Sequence, residues 1–276
     1  MTDETVLHYS QLTLLVMVAG FFAVALWESF RPCRQPTQPT PKRWLLNFSL
    51  YAFGLLGYRW LLPLSYLAAA ILARQQGWGV FQQVQVHPVA AFLMTLLAID
   101  LLRYGFHRLL HNNALLWRFH AVHHSDPDYD LTLSLRFHPI ESLLLWYCTL
   151  GLILLLGAPP LAVLIIDALS LLNGQFTHGN IRLPPALDTA LRWLLVTPNM
   201  HRIHHSKIQS ETDSNYGSLF SFWDRWFGSY TKTAHCPLQD LPIGLSQVPP
   251  ASAMNLGKLI ADPFRRQSSS VQTRQS

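Results

Sequence analysis

Residues 100–126 read DLLRYGFHRLLHNNALLWRFHAVHHSD and carry five histidines in two closely spaced groups. The first group, HRLLH, holds His107 and His111, and the second, HAVHH, holds His120, His123 and His124. Residues three and four apart lie on one face of a helix, so each group directs its imidazoles the same way. Residues 75–99, just before the stretch, contain no Asp, Glu, Lys or Arg. The stretch therefore predicts an apolar helix that leads into a polar, histidine-rich helical segment.

The remaining histidines of interest lie further along the chain, in a third group and at two isolated positions. The third group is HRIHH, with His201, His204 and His205, and the isolated residues are His138 in FHPIE and His178 in FTHGN. Neutral imidazole is the commonest protein ligand for transition metals. The three groups alone hold eight imidazoles, more than one ion can use. Buried without a ligand, so many polar rings would leave donors and acceptors unsatisfied. The spacing therefore predicts two neighbouring metal ions.

The composition indicates a membrane protein. Half of the 276 residues are apolar and only 13% are charged, whereas charged residues make up about a quarter of a typical soluble domain. Residues 6–27, 75–99 and 142–166 are free of Asp, Glu, Lys and Arg, and a bilayer-spanning helix needs about 20 mostly apolar residues. Buried helices of a large soluble protein, the alternative interpretation, rarely run uncharged for so long. The predicted fold class is all-α, an integral-membrane helical bundle with a histidine-rich helical cap.

The apolar segments predict a specific multi-pass topology. A first helix covers about 7–29, a proline-rich loop 31–41, a tilted or kinked second span 44–73, and a third span 88–106. The stretch 141–173 is interrupted at 157–160. Each half is shorter than a full crossing, which predicts a hairpin that enters and leaves on one side.

Basic residues orient this topology. Arg31, Arg34, Lys42 and Arg43 follow the first helix, and basic residues in short loops mark the cytoplasmic side. The N-terminus and the 74–87 loop are therefore expected outside, and everything after the third span in the cytoplasm. This places the histidine site at the boundary between membrane and cytosol, where a lipid could keep its tail in the bilayer.

Three regions follow from these patterns. Residues 1–87 form N-terminal transmembrane helices and loops, 88–245 a catalytic region, and 246–276, rich in Ser, Gln and Pro, a disordered tail. The formal charge of +5 lies beside the apolar segments and does not indicate a nucleic-acid partner. Cys33, Cys148 and Cys236 are too widely spaced for a zinc knuckle or a disulfide framework.

The chain resembles the fatty acid hydroxylase/sterol desaturase superfamily of membrane non-haem di-iron enzymes. The resemblance covers about 90–230 and rests on residues 100–111, WRFHAVHHSD at 117–126, LRFHPIE at 135–141, FTHGN at 176–180, TPNMHRIHHS at 197–206 and NYGSLFSFWDRWFGSY at 215–230. It implies a helical membrane fold with a cytosolic histidine cap, two iron ions, and O2-dependent hydroxylation or desaturation of a lipid. That lipid would be a fatty acyl chain, a sterol, a carotenoid or an ether lipid. The implied metal ligands are His107, His111, His120, His123, His124, His178, His201, His204 and His205, with His138 as a ligand or a neighbour of one.

Two carboxylates are candidates for orienting a ligand imidazole, as outer partners of metal-bound histidines often do. Asp100 lies two helical turns before His107, and Glu141 lies three residues after His138. Helix-end acids at the membrane interface are the alternative for both. Arg136 and Arg202 are expected to anchor the chain at the interface, and the aromatic 215–230 stretch is expected to pack the cap or lie on the membrane.

The resemblance also implies a redox partner. Oxidation of a C–H bond with O2 requires reducing equivalents, yet the sequence contains no GxGxxG after a predicted strand and no recognisable haem module. A separate electron-transfer protein is therefore expected. Zinc would fit the histidines equally well but cannot activate oxygen.

Two other classes of protein remain open. A membrane zinc hydrolase would normally carry a glutamate inside a histidine motif of the HExxH type, which this chain lacks. A bis-histidine haem protein or metal transporter would place facing histidines deep within the spans, whereas here the spans are nearly free of histidine. Metal analysis together with an optical spectrum separates all three.

Overall fold

The computed structural model of this chain describes residues 3–61 and 64–265, and no β-strand forms among them. Fourteen α-helices and two short 3₁₀ helices make up the described part, which agrees with the predicted all-α class. The α-helices are α1 (Asp3–Phe30), α2 (Thr40–Leu61), α3 (Tyr66–Gln76), α4 (Val80–Gln83), α5 (Pro88–Asn112), α6 (Ala114–His124), α7 (Pro139–Leu156), α8 (Pro160–His178), α9 (Pro185–Leu191), α10 (Pro198–His204), α11 (Gln209–Thr212), α12 (Phe222–Trp226), α13 (Pro250–Ala253) and α14 (Leu256–Ala261). The 3₁₀ helices are Leu131–Leu135 and Asp262–Phe264.

Four helices are long and apolar enough to cross a membrane: Gln11–Phe30 within α1, and the whole of α5, α7 and α8. Large apolar side chains on their outer faces are exposed, among them Leu15, Leu97 and Leu155. The inner faces of α3, α5, α7 and α8 pack small and branched side chains such as Ala69, Ile99, Ile153 and Ile166. An apolar outer surface is what a lipid environment favours, so the helices form an integral-membrane bundle.

All the long helices meet at one end, where the histidines lie. Gln175 of α8 donates to the carbonyl of Met17, and Glu28 at the end of α1 accepts from the Asn180 amide just beyond α8. The helices α1 and α8 therefore run side by side in the same direction. The helix α5 reaches the same end through His107 and His111, while α7 starts there at Pro139 and runs away. We call this end of the molecule the cap.

The predicted second span over 44–73 is two helices rather than one. Near its start, Arg43 of α2 bonds to Asp126 of the cap, and near its end, Tyr58 donates to the carbonyl of Pro139, also beside the cap. The helix α2 therefore lies along the cap, and the shorter α3 continues away from it. A proline at position 63 lies between the two helices in the sequence and cannot occupy a helix interior.

The two halves of the hairpin formed by α7 and α8 are longer than the sequence predicted. Its halves contain 18 and 19 residues, and each is long and apolar enough to cross a membrane. The apolar stretch 141–173 left out the first residues of α7, which begins at Pro139, and the polar end of α8, which continues to His178. Gly157 closes α7 in the left-handed conformation, with φ of 63°, and its carbonyl accepts from the side chain of Gln82 in α4, far from the cap. The turn is therefore at the opposite end of the bundle.

Buried ion pairs fasten α2 to the cap. The guanidinium of Arg43 contacts Asp126 at 2.9 Å and Asp130 at 2.6 Å, and all three side chains are almost completely buried. Burial raises the pKa of Asp126, but Arg43 and Arg136 outweigh it and hold that pKa below its ordinary value. The pairing keeps charged groups in place directly behind the histidine segment that ends at His124.

The predicted disordered tail from residue 246 is wrong over its first part. Residues 250–264 form α13, α14 and a 3₁₀ turn that pack on the cap. Arg136 donates to the carbonyl of Ala253, and Phe264 lies against Phe119 with ring centroids 5.6 Å apart. Composition did not reveal this packing because it uses backbone carbonyls and a few apolar side chains such as Leu259. Residues 266–276 lie outside the described part of the chain.

Candidate metal centre

Four helix segments carry the clustered histidines into the cap. The histidines of HRLLH end α5, those of HAVHH end α6, His178 ends α8, and those of HRIHH end α10. Local capping fixes two of these segments. The Asn113 side chain at the α5–α6 corner accepts from the first amides of α6, and the Thr197 hydroxyl accepts from the amide of Met200 in α10. The helix ends therefore converge on one buried volume.

Nine histidines form two groups whose ring nitrogens lie within 4.8 Å of one another in each group. The five-histidine group contains His107, His111, His120, His124 and His204, and the four-histidine group contains His123, His178, His201 and His205. The groups adjoin, since the rings of His124 and His205 are 4.5 Å apart between centroids. The arrangement can hold two neighbouring ions.

Each HxxHH motif contributes to both groups. From HAVHH, His120 and His124 join the five-histidine group and His123 joins the four-histidine group. From HRIHH, His204 joins the five-histidine group, and His201 and His205 join the four-histidine group. The sequence predicted that the three imidazoles of one motif would point the same way. They do not, because adjacent helical residues differ by about 100° in direction and only positions i and i+4 align closely. The motif thus bridges two sites instead of filling one.

Most of these rings are held from outside by a hydrogen bond at Nδ1. The acceptors are the carbonyls of Tyr216 for His107, Arg136 for His123, Gly174 for His178 and Ser214 for His204, and the carboxylates of Asp213 for His111 and Glu141 for His120, at 2.7–3.3 Å. Since a carbonyl oxygen only accepts, Nδ1 carries the proton. A neutral ring then presents its unprotonated Nε2 inward, which is the tautomer that binds metals.

The inward nitrogens lie too close together to be stable without a cation. Nε2 of His123 and Nε2 of His178 are 3.2 Å apart, although both rings donate their Nδ1 proton elsewhere. Two lone pairs therefore face each other. Two nitrogens bound side by side to one ion at about 2.1 Å lie roughly 3 Å apart, which matches the spacing. Buried Nε2 atoms of His107 and His204 have no hydrogen-bond partner, as expected of ligands. The residues fit a bound metal.

The electrostatics of the cap keep its imidazoles neutral. Burial, followed by the repulsion of neighbouring imidazoles, lowers the pKa of His123, His124, His201 and His205 well below 6.5. The same causes lower the pKa of His204 to about 3. At neutral pH these rings carry no proton on the metal-facing nitrogen, so a cation can bind without first displacing one.

A cavity of about 310 Å³ opens between the helices beside both groups. It touches His107 of the five-histidine group and His123, His178 and His201 of the four-histidine group. Most of the exposed surface of its wall is apolar, with contributions from Phe106, Leu110, Leu145 and Leu171. A larger depression of about 790 Å³ lies on the outer cap surface near α9 but touches no histidine of either group. The smaller cavity is therefore the candidate substrate site.

His138, the tenth candidate ligand, lies outside both groups. Its Nδ1 accepts from the amide of Ile140, which caps α7, and its Nε2 is 3.2 Å from the carbonyl of Ile260 in α14. The ring therefore joins the start of α7 to the C-terminal helices. The structure does not bring it to the metal centre, and it is omitted from the proposed ligand set.

Asp100 does not orient an imidazole. Its carboxylate accepts from the amides of Leu219 and Phe220 and from the indole of Trp223, at 2.8–3.0 Å. It thereby fastens the aromatic 215–230 stretch to α5. Asp224 fixes the start of the same stretch by accepting from the amides of Tyr216 and Gly217. This stretch packs the cap, and the carbonyl of Tyr216 in turn holds His107.

Arg136 and Arg202 do not lie at the membrane surface, because both are completely buried. Arg136 donates to the carbonyl of Val122 and the side chains of Asn47 and Ser125, and Arg202 donates to carbonyls at the end of α8. Their guanidinium groups hold the histidine segments together through hydrogen bonds inside the cap. The prediction that they are interface anchors is wrong.

Sequence reasoning missed several outer partners of the histidines. Asp213, Ser214 and Tyr216 each hold one ring, and two of them do so through the backbone carbonyl. A carbonyl gives no side-chain signal in the sequence. Asp213 follows HRIHH by eight residues, and its acidic side chain is the one signal for such a partner that the sequence contains.

Glu141 does meet a histidine, and its replacement provides a test. Glu141→Ala should lower metal affinity or activity by about 10- to 100-fold, because Oε1 lies 2.7 Å from Nδ1 of His120. Glu141→Gln should do less harm, since an amide oxygen can still accept that bond. Metal content and Kd of the purified variants would measure the effect. Asp100→Asn is the matched control; the interpretation is wrong if Asp100→Asn weakens metal binding as much as Glu141→Ala.

The comparisons with known proteins agree with this centre. A family model described as "Fatty acid hydroxylase" matches residues 92–229, half of the 276-residue chain. The match spans α5 to the end of the 215–230 stretch and contains all nine clustered histidines. The chain therefore belongs to the fatty acid hydroxylase family, within the fatty acid hydroxylase/sterol desaturase superfamily, as its motifs predicted.

Curated relatives cover the same region. The chain is 39% identical over 129 residues to ornithine lipid hydroxylase OlsE of Rhizobium tropici, covering 46% of this chain and 38% of the relative. It is 33% identical over 141 residues to alkylglycerol monooxygenase of Xenopus tropicalis, covering 50% of this chain and 30% of the relative. The match to very-long-chain aldehyde decarbonylase GL1-7 of Oryza sativa subsp. japonica is 27% over 165 residues, covering 54% and 25%. The matched parts are thus well under half of these relatives' lengths. No solved structure is a significant match.

Proposed function

We propose that this chain is a membrane-bound di-iron monooxygenase that hydroxylates a lipid. The observation that carries the proposal is the pair of adjoining histidine groups, with inward nitrogens 3.0–3.3 Å apart, beside a cavity whose exposed wall is mostly apolar. An imidazole-only ligand set leaves room for O2, and iron supplies the one-electron chemistry that C–H oxidation requires. Zinc would satisfy the same nitrogens but not this reaction.

The nine clustered histidines would hold the two ions, five around one and four around the other. The chain's other residues prepare the site. Carbonyls and carboxylates behind the rings fix their tautomers, and Glu141 places a negative charge behind His120. The apolar cavity wall excludes bulk water and aligns a hydrocarbon segment next to the histidines.

The relatives favour hydroxylation over the other reactions of the family. OlsE is named as an ornithine lipid hydroxylase, and the four alkylglycerol monooxygenases are 28–33% identical to this chain. Hydroxylation converts R–H, O2, two electrons and two protons into R–OH and water. The cavity of about 310 Å³ is at the small end for a ligand site, which suits a short reacting segment whose tail extends into the bilayer.

Isotope incorporation tests the proposed function. Iron-loaded protein in lipid vesicles, supplied with ¹⁸O2, a chemical reductant with a mediator, and a lipid extract, should yield lipids heavier by one ¹⁸O atom. The label enters as a hydroxyl or, where the reacting carbon bears an ether oxygen, as the product of its breakdown. Zinc-loaded protein is the matched control. If the lipid product instead takes up ¹⁸O from H₂¹⁸O, with iron or with zinc bound, the result would support a hydrolase.

The two electrons require a donor, and we propose a separate electron-transfer protein. The described residues form no second cofactor-binding domain alongside the bundle. With the basic loop at 31–43 in the cytoplasm, the cap would be cytoplasmic and accessible to such a donor. Residues 88–245 would be the catalytic region, and residues 1–87 would complete it, since Arg43 supports the cap.

Topology reporters check this orientation. Fusions at residue 38 and residue 246 should both report the cytoplasmic side, because both positions belong to the cap end of the bundle. A reporter fused at residue 78, in the loop between α3 and α4, should report the opposite side and serves as the contrast. Signals from opposite sides at 38 and 246 would contradict the proposed orientation.

A further inference from the structure

Besides Glu141, which contacts His120 at the cap end of α7, two charged side chains enter the candidate substrate cavity from the membrane-spanning helices. Arg103 belongs to α5 and Asp167 to α8, and both line the same cavity as His107 and His178. Charged residues within spans are costly, and where they occur they normally mark a functional path or pair with each other. These two do not pair directly, since no nitrogen of Arg103 lies within 4.0 Å of an oxygen of Asp167.

Part of the hydrogen-bonding capacity of the cavity wall is not satisfied by the protein. Nε of Arg103 is buried without a hydrogen-bond partner, and so is the side-chain oxygen of Gln175, which lines the same cavity. Arg103 and Asp167 line this one cavity from two different helices, α5 and α8. Buried polar groups in proteins nearly always find a partner. A molecule bound in the cavity would supply that partner.

The helix geometry connects these residues to the metal centre. Arg103 lies four residues before His107 and so occupies the same face of α5 about one turn, roughly 6 Å, further from the cap. On α8, Asp167, Ser170 and Gly174 precede His178 along one face. A ligand that touches the charged pair therefore extends directly to the histidines.

We infer that Arg103 and Asp167 form a polar subsite that binds a neutral hydrogen-bonding group of the lipid substrate, either a hydroxyl or an amide N–H. The inference rests on the proposed function, because it takes the cavity to be the lipid site. A group that accepts from the guanidinium and donates to the carboxylate satisfies both. A phosphate or carboxylate meets repulsion from Asp167, an ammonium meets repulsion from Arg103, and plain hydrocarbon leaves both unsatisfied.

The subsite also selects which carbon reacts. Arg103 lies about one helical turn (roughly 6 Å) before His107, and Asp167 about three turns (roughly 16 Å) before His178. The subsite therefore sets the distance along the lipid between the hydrogen-bonding group and the carbon at the histidines. A lipid with such a group is held in register, whereas a plain acyl chain can slide along the apolar wall. The subsite thus determines both substrate class and position of oxidation.

Ligand binding without turnover tests this inference. The full-length, metal-loaded protein is kept anaerobic without reductant in nanodiscs, and Kd is measured for two matched pairs of radiolabelled probes. The pairs are 1-O-hexadecylglycerol against its di-O-methyl ether, and hexadecanamide against its N,N-dimethyl derivative. At least one free probe should bind about 10- to 100-fold more tightly than its methylated counterpart, because methylation removes the donor to Asp167.

Variants assign the preference to the two residues. Arg103→Met and the near-isosteric Asp167→Leu, which has no acceptor, should each reduce the preference to a few-fold at most while metal content stays at the wild-type level. Arg108→Met, the same change on the same helix, is the control; Arg108 contacts Tyr104 and Phe227 on the cap side. Equal binding of free and methylated probes to the wild type overturns the inference, as does a preference that survives both variants.

The outcome is separable from that of the proposed function. A wild-type preference that depends on Arg103 and Asp167, together with no ¹⁸O incorporation, would leave the subsite in place and remove the oxygenase. Incorporation of ¹⁸O with no probe preference would do the reverse. Arg103→Lys adds a further check, since it keeps the charge and should retain part of the preference if charge and hydrogen bonding carry it.

Discussion

His204→Ala should lower lipid oxidation by more than about 100-fold, and His123→Ala should do the same. Each substitution removes one inward imidazole, from the five-histidine and the four-histidine group respectively. Loss of an outer partner of a metal ligand typically costs 10- to 100-fold, and loss of the ligand itself should cost more. Turnover of a labelled lipid by purified, metal-supplemented protein measures the effect, with metal content determined on the same samples.

Three other histidines provide matched controls for these variants. His87 caps α5 and His235 contacts Glu211 on the cap surface, so alanine at either position should leave metal content and oxidation within a few-fold of wild type. His138→Ala should lower stability by about 1 kcal/mol through loss of a helix cap but leave the metal in place. Full activity and full metal content in His204→Ala or His123→Ala would contradict the assignment.

Removal of the metals should lower the thermal stability by about 10 °C or more. A tightly bound ion stabilises the folded state by about 2.7 kcal/mol when present at a hundredfold excess over its Kd, and two ions double this figure. A stability change of 1 kcal/mol shifts Tm by roughly 2–4 °C in a protein of 150–250 residues. Without ions, lone pairs such as those of His123 and His178 face each other at 3.2 Å. Thermal unfolding followed by tryptophan fluorescence, before and after chelation, gives the shift.

Re-addition of different metals separates the stabilisation that comes from metal binding from the oxidation that requires a redox-active metal. Ferrous iron should restore both Tm and oxidation, whereas Zn²⁺ should restore Tm alone, because zinc fits the imidazoles but has no redox chemistry. A Tm that does not respond to chelation, in a sample whose metal has demonstrably been removed, would show that the imidazoles are stabilised by contacts within the protein.

The sequence predicted which histidines come together better than it predicted the residues around them. Spacing of three and four residues brings imidazoles to one side of a helix, and the nine clustered histidines do converge. The division of each HxxHH motif between two groups follows from the 100° step between helical residues together with the way α6 and α10 face each other, and only the second is tertiary information. The hydrogen bonds that fix the rings come largely from carbonyls of residues distant in sequence.

His138 is a case where the sequence contained an unused signal. It directly precedes Pro139, and His87 directly precedes Pro88; both histidines cap the helix that the proline begins. Proline is favoured at the first helical position, so a polar residue before it is a candidate cap. The carboxylate of Asp100 gave no such signal, because its three donors lie about 120 residues further along the chain.

The membrane helices illustrate a similar limit. Hydropathy identified the apolar segments of all four candidate spans, because a helix facing lipid needs a long uncharged stretch. It did not show that α2 lies along the cap, since that depends on the buried contacts of Arg43 and Asn47 with Asp126 and Thr132. Nor did it show that Arg103 and Asp167, two charges on different spans, face one cavity.

The metal stoichiometry tests the central claim most directly. Protein extracted from its membrane without chelator, with its concentration fixed by amino-acid analysis, can be assayed for all transition metals by inductively coupled plasma mass spectrometry. Two adjoining groups of five and four histidines predict two ions per chain, and iron in preparations that oxidise lipid. A fully active preparation with one ion per chain, or with none, would contradict the account.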